Sequence, residues 1–215
     1  MSYSSASVLR HLETTRRGLP PPAPATEQMS PALDALSLQF AIWMRSAPGF
    51  GIDVGCGDGI ATAAALARGG HVMALDKDQG ALDQVLRRIP AEQYPRLKLR
   101  TARLEEIDFK FTHFSGVHAS RVLHFLDRPA LQVSFRKFFR WLYPEGKLFI
   151  SAFAAADSSG RLRRSNAYGG VHLLDEFILR RELAAAGFVI EKLTSSALAW
   201  DAEHVCANVI AHCGP

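Results

Sequence analysis

The stretch GIDVGCGDG, residues 51–59, decides the fold class of this chain. Its apolar start contains one acid, Asp53, and leads directly into Gly55, Gly57 and Gly59 at alternate positions. Glycine has no Cβ, so it adopts left-handed backbone angles easily and lets a ligand approach the main chain closely. The stretch therefore predicts a strand that ends in a tight, ligand-binding turn.

Outward from this stretch, short apolar segments alternate with helical ones. The expected strands are FGIDVG, HVMALDKD, RLKLRTA, SGVHAS, KLFISAF, VIEKLT and HVCANVIAHC. The expected helices are GIATAAALARGG, QGALDQVLRRI, RPALQVSFRKFFRWLY and LLDEFILRRELAAAGF. This alternation predicts a doubly wound α/β fold, in which a parallel sheet is covered on both faces. In such a fold the ligand lies outside the carboxyl ends of the strands, next to turns such as this one.

Residues 1–48 are expected to form an arm and a helix ahead of a main domain over residues 49–215. The cluster LPPPAPA predicts an extended connector, because proline fixes φ and lacks an amide hydrogen. Ser30 followed by Pro31 favours a helix start, so an amphipathic helix is predicted over residues 31–46. This extension either closes over the ligand as a lid or covers one edge of the sheet.

The composition is that of a folded globular protein. Of 215 residues, 48% are hydrophobic and 21% are charged, which is too apolar for a disordered chain. Cys56, Cys206 and Cys213 lack the paired spacing of a zinc site or a disulfide framework, so no metal is expected. We read no signal peptide and no membrane span, which favours a cytoplasmic location. The net charge of +4 leaves a nucleic-acid partner open but does not require one.

The spacing of glycines and acids indicates the kind of ligand. A dinucleotide fingerprint requires its third glycine at position 60, where this chain has Ile60. Asp53 beside the turn is a poor neighbour for a pyrophosphate and a good one for a cation. Asp76 ends the second expected strand, where a carboxylate can accept hydrogen bonds from a ribose diol. Together these features describe S-adenosylmethionine, a nucleoside with a cationic tail, and disfavour a nicotinamide dehydrogenase.

Five segments between residue 50 and about residue 212 resemble, in order, the class I S-adenosylmethionine-dependent methyltransferases. They are DVGCGDG, ALDKD, HASRVLHFL, LYPEGKLFIS and AAAGFVIEKL. The resemblance implies a doubly wound, mostly parallel seven-stranded sheet with the helical extension at its N-terminus. Three positions depart from the family pattern: Arg103 stands where many members accept from adenine with an acid, Ser115 replaces an aspartate, and Glu145 replaces a glycine.

The resemblance also implies contacts to the cofactor, S-adenosyl-L-methionine. The glycine-rich turn is expected to surround the methionine part of the cofactor with Asp53, Gly55, Cys56 and Gly57. Asp76 and Lys77, at the end of the second strand, are expected at the ribose. Leu104 and Glu105, after the third strand, are expected at the adenine, and Ser120 and Arg121, at the end of the fourth strand, at the reacting group.

Candidate bases follow the fourth and fifth strands. Methyl transfer from a sulfonium depends on alignment and on exclusion of water, so a base is needed only when the acceptor must lose a proton. His124 and His172 are the candidates, because histidine titrates near neutral pH. Each is alternatively a packed or capping residue.

A basic loop over residues 157–170 is expected to hold the acceptor. Its arginines suit an anionic group and its tyrosine could form a wall, although a solvated loop would look the same. The candidate acceptor contacts are Arg164, Tyr168 and His172, and the loop also carries Arg161 and Arg163.

Two further groups of basic or titratable residues are expected to be structural. His118 lies within the fourth strand and is interpreted as a core residue. Arg136, Lys137 and Arg140 are interpreted as the exposed face of an amphipathic helix, with an RNA-binding surface as the alternative.

The expected function is methyl transfer from S-adenosylmethionine to a small-molecule acceptor. In support, the segment SRVLHFL lacks the Asn/Asp-Pro-Pro-Tyr pattern of enzymes that methylate amines of nucleic acids or glutamine. Two alternatives remain open: a regulatory partner of the same fold that has lost turnover, and an RNA or protein methyltransferase, which would show salt-dependent RNA retention.

Overall fold

The computed structural model describes residues 33–109, 113–155, 163–165, 171–198 and 201–214. Backbone contacts group residues Asp34–Pro215 into one compact unit, which contains the sheet and its helices. The proline-rich arm, including Ser30 and Pro31, lies outside the described residues, so a lid formed by residues 1–48 stays a prediction. No helix among the residues described is long and apolar enough to cross a membrane.

The main sheet has seven strands, as the sequence predicted. In chain order the strands among the described residues are β1 Phe50–Val54, β2 His71–Asp76, β3 Leu97–Thr101, β4 Phe114–Ser120, β5 Leu142–Ala155, β6 Arg163–Ser165, β7 Val171–Leu173, β8 Phe188–Leu198 and β9 Asp201–Cys213. The order across the main sheet is β3-β2-β1-β4-β5-β9-β8. Strands β1 to β5 run parallel, whereas β9 is antiparallel to both of its neighbours. Strand order reverses between β1 and β4, so a crevice is expected where these two strands end.

Within the described ranges, five α-helices cover the sheet. Their bounds are α1 Ala35–Met44, α2 Ile60–Ala67, α3 Gln79–Arg88, α4 Arg128–Trp141 and α5 Glu176–Ala185, with short 3₁₀ turns at Ala91–Arg96 and Leu123–Phe125. Neighbouring residues of a strand point to opposite faces of a sheet. His118 and Phe149 contact Phe40 of α1, whereas Val117 and Ile150 belong to a core cluster with buried residues of α4 and α5. Both faces are therefore covered, and the predicted fold class is confirmed.

Helix α1 begins four residues later than the sequence predicted. Asp34 caps it, with Oδ1 accepting a hydrogen bond from the Ser37 amide at 2.8 Å, and the helix ends at Met44. An aspartate cap satisfies amides that would otherwise lack partners, which explains the start. The helix lies flat on β1: a Cβ added to Gly51 would fall 2.7 Å from Sδ of Met44.

Ser115 has a structural role at the other end of α1. Its hydroxyl donates to the Pro48 carbonyl, and its own carbonyl accepts from Nε1 of Trp43 at 2.8 Å. These bonds fasten the segment between α1 and β1 to β4. These hydrogen bonds explain why Ser115 stands where the family pattern has an aspartate.

The region predicted as one loop over residues 157–170 contains part of a small second sheet. Strand β6 pairs antiparallel with β7, and Arg164 is opposite His172 in their register. The loop prediction is wrong at β6, because a three-residue strand carries too little hydrophobic alternation to be recognised from sequence. Arg161 and Tyr168 lie outside the described residues.

Candidate functional site

A cavity of about 370 Å³ opens at the carboxyl ends of β1 and β2. Its walls come from the ends of four neighbouring strands. They are Val54, Gly55, Leu75, Asp76, Lys77, Ala102, Arg103, Leu104, Glu105, Arg121, Val122, Phe125 and Leu126. This is the position that a doubly wound fold provides for a ligand. Gly55, Asp76, Lys77, Leu104, Glu105 and Arg121, all named as site residues from sequence, are brought together here.

The glycine-rich turn has left-handed backbone angles at all three of its glycines. Gly55, Gly57 and Gly59 have φ angles of 65°, 53° and 76°. A Cβ on Gly55 would lie 2.7 Å from Cγ2 of Val122, and one on Gly59 would lie 2.7 Å from Cγ2 of Val85. At Gly57 a Cβ would meet no atom within 4 Å. The outer two glycines therefore allow close packing, whereas the middle one faces open space.

Asp76 joins the end of β2 to the glycine-rich turn. Its Oδ2 accepts a hydrogen bond from the Gly57 amide, and its Oδ1 accepts one from the Asp78 amide, both at 3.0 Å. A carboxylate oxygen has more than one lone pair, so both oxygens can accept further bonds from the cavity side. Asp76 is thereby held in position on the cavity wall.

Asp53 lies away from the cavity surface and is only 2% exposed. Thr62 Oγ1 donates to its Oδ2 at 2.6 Å, and its Oδ1 lies 2.7 Å from Nδ1 of His118. From its place beside the turn, Asp53 is expected to be an acid that faces a cationic ligand. The structure instead occupies both of its oxygens with side chains of the protein.

The contacts of Asp53 continue to helix α1. Nε2 of His118 lies 3.0 Å from Oγ of Ser37, whose hydroxyl donates to Oδ2 of Asp34 at 2.9 Å. The ring of Phe40 stacks on His118 with centroids 5.0 Å apart. We call Asp34, Ser37, His118, Asp53 and Thr62 the buried polar chain. It connects the start of α1 to the strand that precedes the glycine-rich turn.

Cys56 is also buried and does not line the cavity. Burial, followed by the nearby charges of Asp53 and Asp76, raises the pKa of its thiol. The thiol therefore stays protonated, and its Sγ lies 3.9 Å from the Gly57 carbonyl. A thiolate nucleophile is excluded at this position.

The interpretation of Arg136, Lys137 and Arg140 as an exposed face of α4 is wrong at Lys137, which is buried. The residue is only 7% exposed, and its Nζ donates to the carbonyls of Leu104, Glu105 and Ile107 at 3.0, 2.9 and 2.8 Å. Burial lowers the pKa of the ammonium, and the carboxylate of Asp108 opposes that shift. The sequence held a signal for this burial, because Lys137 is three residues after Ser134 and four before Trp141, both on the buried stripe of α4.

Arg103, the departure from the family pattern, lines the cavity with its charge paired. Its guanidinium lies 3.7 Å from Glu105 and 3.9 Å from Glu106. Both pairs are exposed and therefore weak. Glu105 remains on the wall as a carboxylate close to the place expected for adenine.

The end of β4 shows two signs of a functional site. Arg121 has a φ of 54°, the one positive φ among the non-glycine residues that the structure describes, and its amide donates to the Ser151 carbonyl at 2.7 Å. Strain of this kind concentrates at functional sites. Ser120 Oγ and His124 Nδ1 are both buried without a hydrogen-bond partner. Polar atoms of this kind are rare and suggest that a ligand completes them.

His124 lies behind the cavity wall and is only 1% exposed. Its ring stacks on Phe153 with centroids 4.3 Å apart, and Phe125 lies on it at 4.4 Å. Burial, and secondarily the charge of Arg121, lowers the pKa of His124 to about 4. The ring is therefore neutral at neutral pH, which differs from the expectation of a base that titrates there.

His172 is half-buried on β7, on the small sheet. Residues of β5, β7 and β9 form a small apolar cluster next to it, made of Phe153, Val171, Leu173 and Cys206. Val171 and Leu173 flank His172 on β7, so the side chain of His172 points to the opposite face of the strand from this cluster.

The comparisons with known proteins agree with this geometry. Residues 52–146 match the model of a family described as a methyltransferase domain. No curated protein matches the chain in sequence.

Three solved structures illustrate the likeness in fold. A Burkholderia thailandensis 1,6-didemethyltoxoflavin-N1-methyltransferase, with 1,6-didemethyltoxoflavin and S-adenosylhomocysteine bound, has a TM-score of 0.72 at 20% identity, over 98% of this chain and 87% of that one. The glycopeptide N-methyltransferase MtfA complexed with S-adenosylmethionine has a TM-score of 0.64 at 19% identity, over 83% and 86%. The (4+2)-cyclase SpnF has a TM-score of 0.67 at 15% identity, over 83% and 80%. At these identities the likenesses show the fold.

Proposed function

We propose that this chain, whose residues 52–146 match the model of a methyltransferase domain family, transfers the methyl group of S-adenosylmethionine to a small-molecule acceptor. One observation carries the proposal: a cavity at the switch point of a class I methyltransferase fold, lined by Gly55, Asp76 and Glu105. Fold alone does not fix function, whereas these residues give the cavity its specific chemistry.

The residues present fit such a cofactor. Gly57 faces open space where a methionine chain would pass, and the carboxylate of Asp76 is held on the wall beside the turn, where a ribose diol would be accepted. Leu104 and Glu105 form the wall for the adenine. We expect the ammonium of the methionine part to be bound by backbone carbonyls of the turn, since Asp53 is buried and does not line the cavity.

When bound, the cofactor would supply a methyl group on a positively charged sulfur; the acceptor would bond to the methyl carbon in line as the sulfur leaves as a neutral thioether. The chain's part is then to orient the two groups and to exclude water. Arg121, Val122 and Phe125 lie on the wall where the reacting end is expected.

The acceptor is proposed to bind between the end of β4 and the small sheet. The partnerless Ser120 Oγ and His124 Nδ1 support this, because an acceptor with a polar group would complete them. With a pKa of about 4, His124 suits a hydrogen bond to the acceptor better than storage of its proton at neutral pH. His172 is the proposed base where one is needed, with Arg164 and Tyr168 as further proposed contacts.

A small, planar acceptor is favoured over a macromolecule. At the proposed acceptor region the ring of Phe125 is exposed and tilted against that of His124, which stacks on Phe153, and aromatic side chains bind planar ligands by offset stacking. The solved relative from Burkholderia thailandensis holds one such molecule, 1,6-didemethyltoxoflavin.

Calorimetric titration with S-adenosylmethionine and S-adenosylhomocysteine, with NADH as control, tests the cofactor. We expect binding of the first two alone; binding of NADH alone, or of none, would overturn the proposal. Methyl transfer is then tested by following S-adenosylhomocysteine formation with a panel of planar N–H and O–H heterocycles. Cofactor binding without transfer to any of them would favour a binding or regulatory protein instead.

A further inference from the structure

The ammonium of Lys137 lies outside the cavity yet holds part of its wall. Lys137 belongs to α4, and its three donors are all taken by carbonyls of the segment after β3. Two of those carbonyls belong to Leu104 and Glu105, which line the cavity. A buried cation is retained only where it is fully hydrogen-bonded, so this arrangement is specific.

The three hydrogen bonds determine where the neighbouring amides point. In a trans peptide the carbonyl of one residue and the amide of the next lie on opposite sides. Since the Leu104 carbonyl points at Lys137, the amide of Glu105 points away from it. Within the part of the chain that the structure describes, this amide donates to no other group, whereas that of Glu106 donates to the Arg103 carbonyl at 3.1 Å.

The far end of the segment is fixed independently. Asp108 accepts from Nε1 of Trp141 and from Nη2 of Arg140, both at 2.9 Å. These bonds hold the segment on α4 without Lys137. Loss of Lys137 would therefore free the backbone around Leu104 and Glu105 without detaching the segment.

We propose that Lys137 is a positioning residue that sets the selectivity of the cavity for the base of its nucleoside ligand. By binding the carbonyls of Leu104 and Glu105, Lys137 holds them away from the cavity and keeps the Glu105 amide free to donate to a ring nitrogen of the base. The inference rests on the proposed function, since it assumes a nucleoside in this cavity. Adenine, with an acceptor nitrogen on its pairing edge, fits such a donor, whereas hypoxanthine carries a hydrogen on that nitrogen.

The test compares two ligands that differ in this edge alone, S-adenosylhomocysteine and S-inosylhomocysteine. Their dissociation constants are measured by calorimetry for the wild type, Lys137→Met and the matched control Arg136→Met. Arg136 is the adjacent residue of the same helix and is exposed, so the control removes the same charge without touching the segment.

For the wild type and Arg136→Met we expect at least tenfold preference for S-adenosylhomocysteine. For Lys137→Met we expect weaker binding of S-adenosylhomocysteine and a preference reduced to about threefold or less. If Lys137→Met does not fold, as judged by its thermal transition, Lys137→Gln replaces it with the same expectation.

Three outcomes overturn the inference. The inference is overturned if Lys137→Met keeps the wild-type preference for S-adenosylhomocysteine, or if it loses affinity for both ligands equally. It is also overturned if the wild type binds both ligands with the same affinity. Each result would exclude a role of Lys137 in base selectivity. Failure of the wild type to bind S-adenosylhomocysteine would instead overturn the proposed function, so the two failures are distinguishable.

Discussion

The carboxylate of Asp53 and the imidazole of His118 form a buried pair between neighbouring strands, with Oδ1 and Nδ1 2.7 Å apart. Asp53 precedes the glycine-rich turn on β1, and His118 lies beside it on β4 in the register of the sheet. Through Ser37, the same pair reaches the cap of α1. The acid of the glycine-rich motif therefore fixes the turn to the rest of the fold.

Removing Asp53 is expected to destabilise the protein more than removing an exposed acid nearby. Asp53→Ala leaves the His118 ring and the Thr62 hydroxyl buried without their partner, and breaking a buried pair typically costs about 3 kcal/mol or more. Asp58→Ala removes the exposed pair between Asp58 and Arg88, for which we expect about 1 kcal/mol or less. Urea unfolding of both variants measures the difference, and equal losses would contradict the role assigned to Asp53.

The glycine-rich turn gives a second expectation, because Gly55 and Gly57 have different surroundings. Gly57→Val places its side chain in open space, so the variant should fold, with a cost of about 1–2 kcal/mol from its left-handed angle. The side chain would nevertheless occupy the proposed path of the methionine part and abolish binding of S-adenosylhomocysteine.

Gly55→Val is the matched comparison for this turn. Its Cβ would collide with Val122, so we expect a larger loss of stability than in Gly57→Val. Thermal unfolding and calorimetry together check both statements. Retained affinity in a folded Gly57→Val variant would remove the glycine-rich turn from the cofactor site.

The sequence predicted features that are encoded locally. The strand and turn at residues 51–59, the alternation of elements and the cavity at the strand ends all follow from short segments. It did not reveal the partners of His118, which lie 65 and 81 residues away along the chain. The burial of Lys137 follows the stripe of α4, but its carbonyl partners are 30 to 33 residues distant and are hidden for the same reason. Contacts that only the tertiary fold brings together leave no periodic pattern.

Asp76 is expected to be essential for cofactor binding but not for folding. Asp76→Ala removes the proposed acceptor for the ribose and two hydrogen bonds to the amides of Gly57 and Asp78. We expect the affinity for S-adenosylhomocysteine to fall by at least a hundredfold.

Asp78→Ala serves as the control: its side chain caps α3 through the Gly80 amide, so its loss should cost about 1 kcal/mol of stability and leave affinity unchanged. A hundredfold loss in the control as well would mean that the ribose assignment is wrong.

The pKa of His124 predicts how stability depends on pH. Its value of about 4 in the folded protein lies below the ordinary value of 6.5, because burial disfavours the charged ring. Below pH 6.5 the unfolded chain binds a proton that the folded protein does not, so stability is full above pH 6.5 and is lost as the pH falls to about 4. The loss from this residue amounts to about 3 kcal/mol.

His124→Phe keeps the stacked ring and removes the titration, so its free energy of unfolding should depend less on pH across this range. His71→Gln, which replaces an exposed histidine, should retain the wild-type dependence. If the curves of wild type and His124→Phe run parallel from pH 7 to pH 4, His124 is not held neutral by burial.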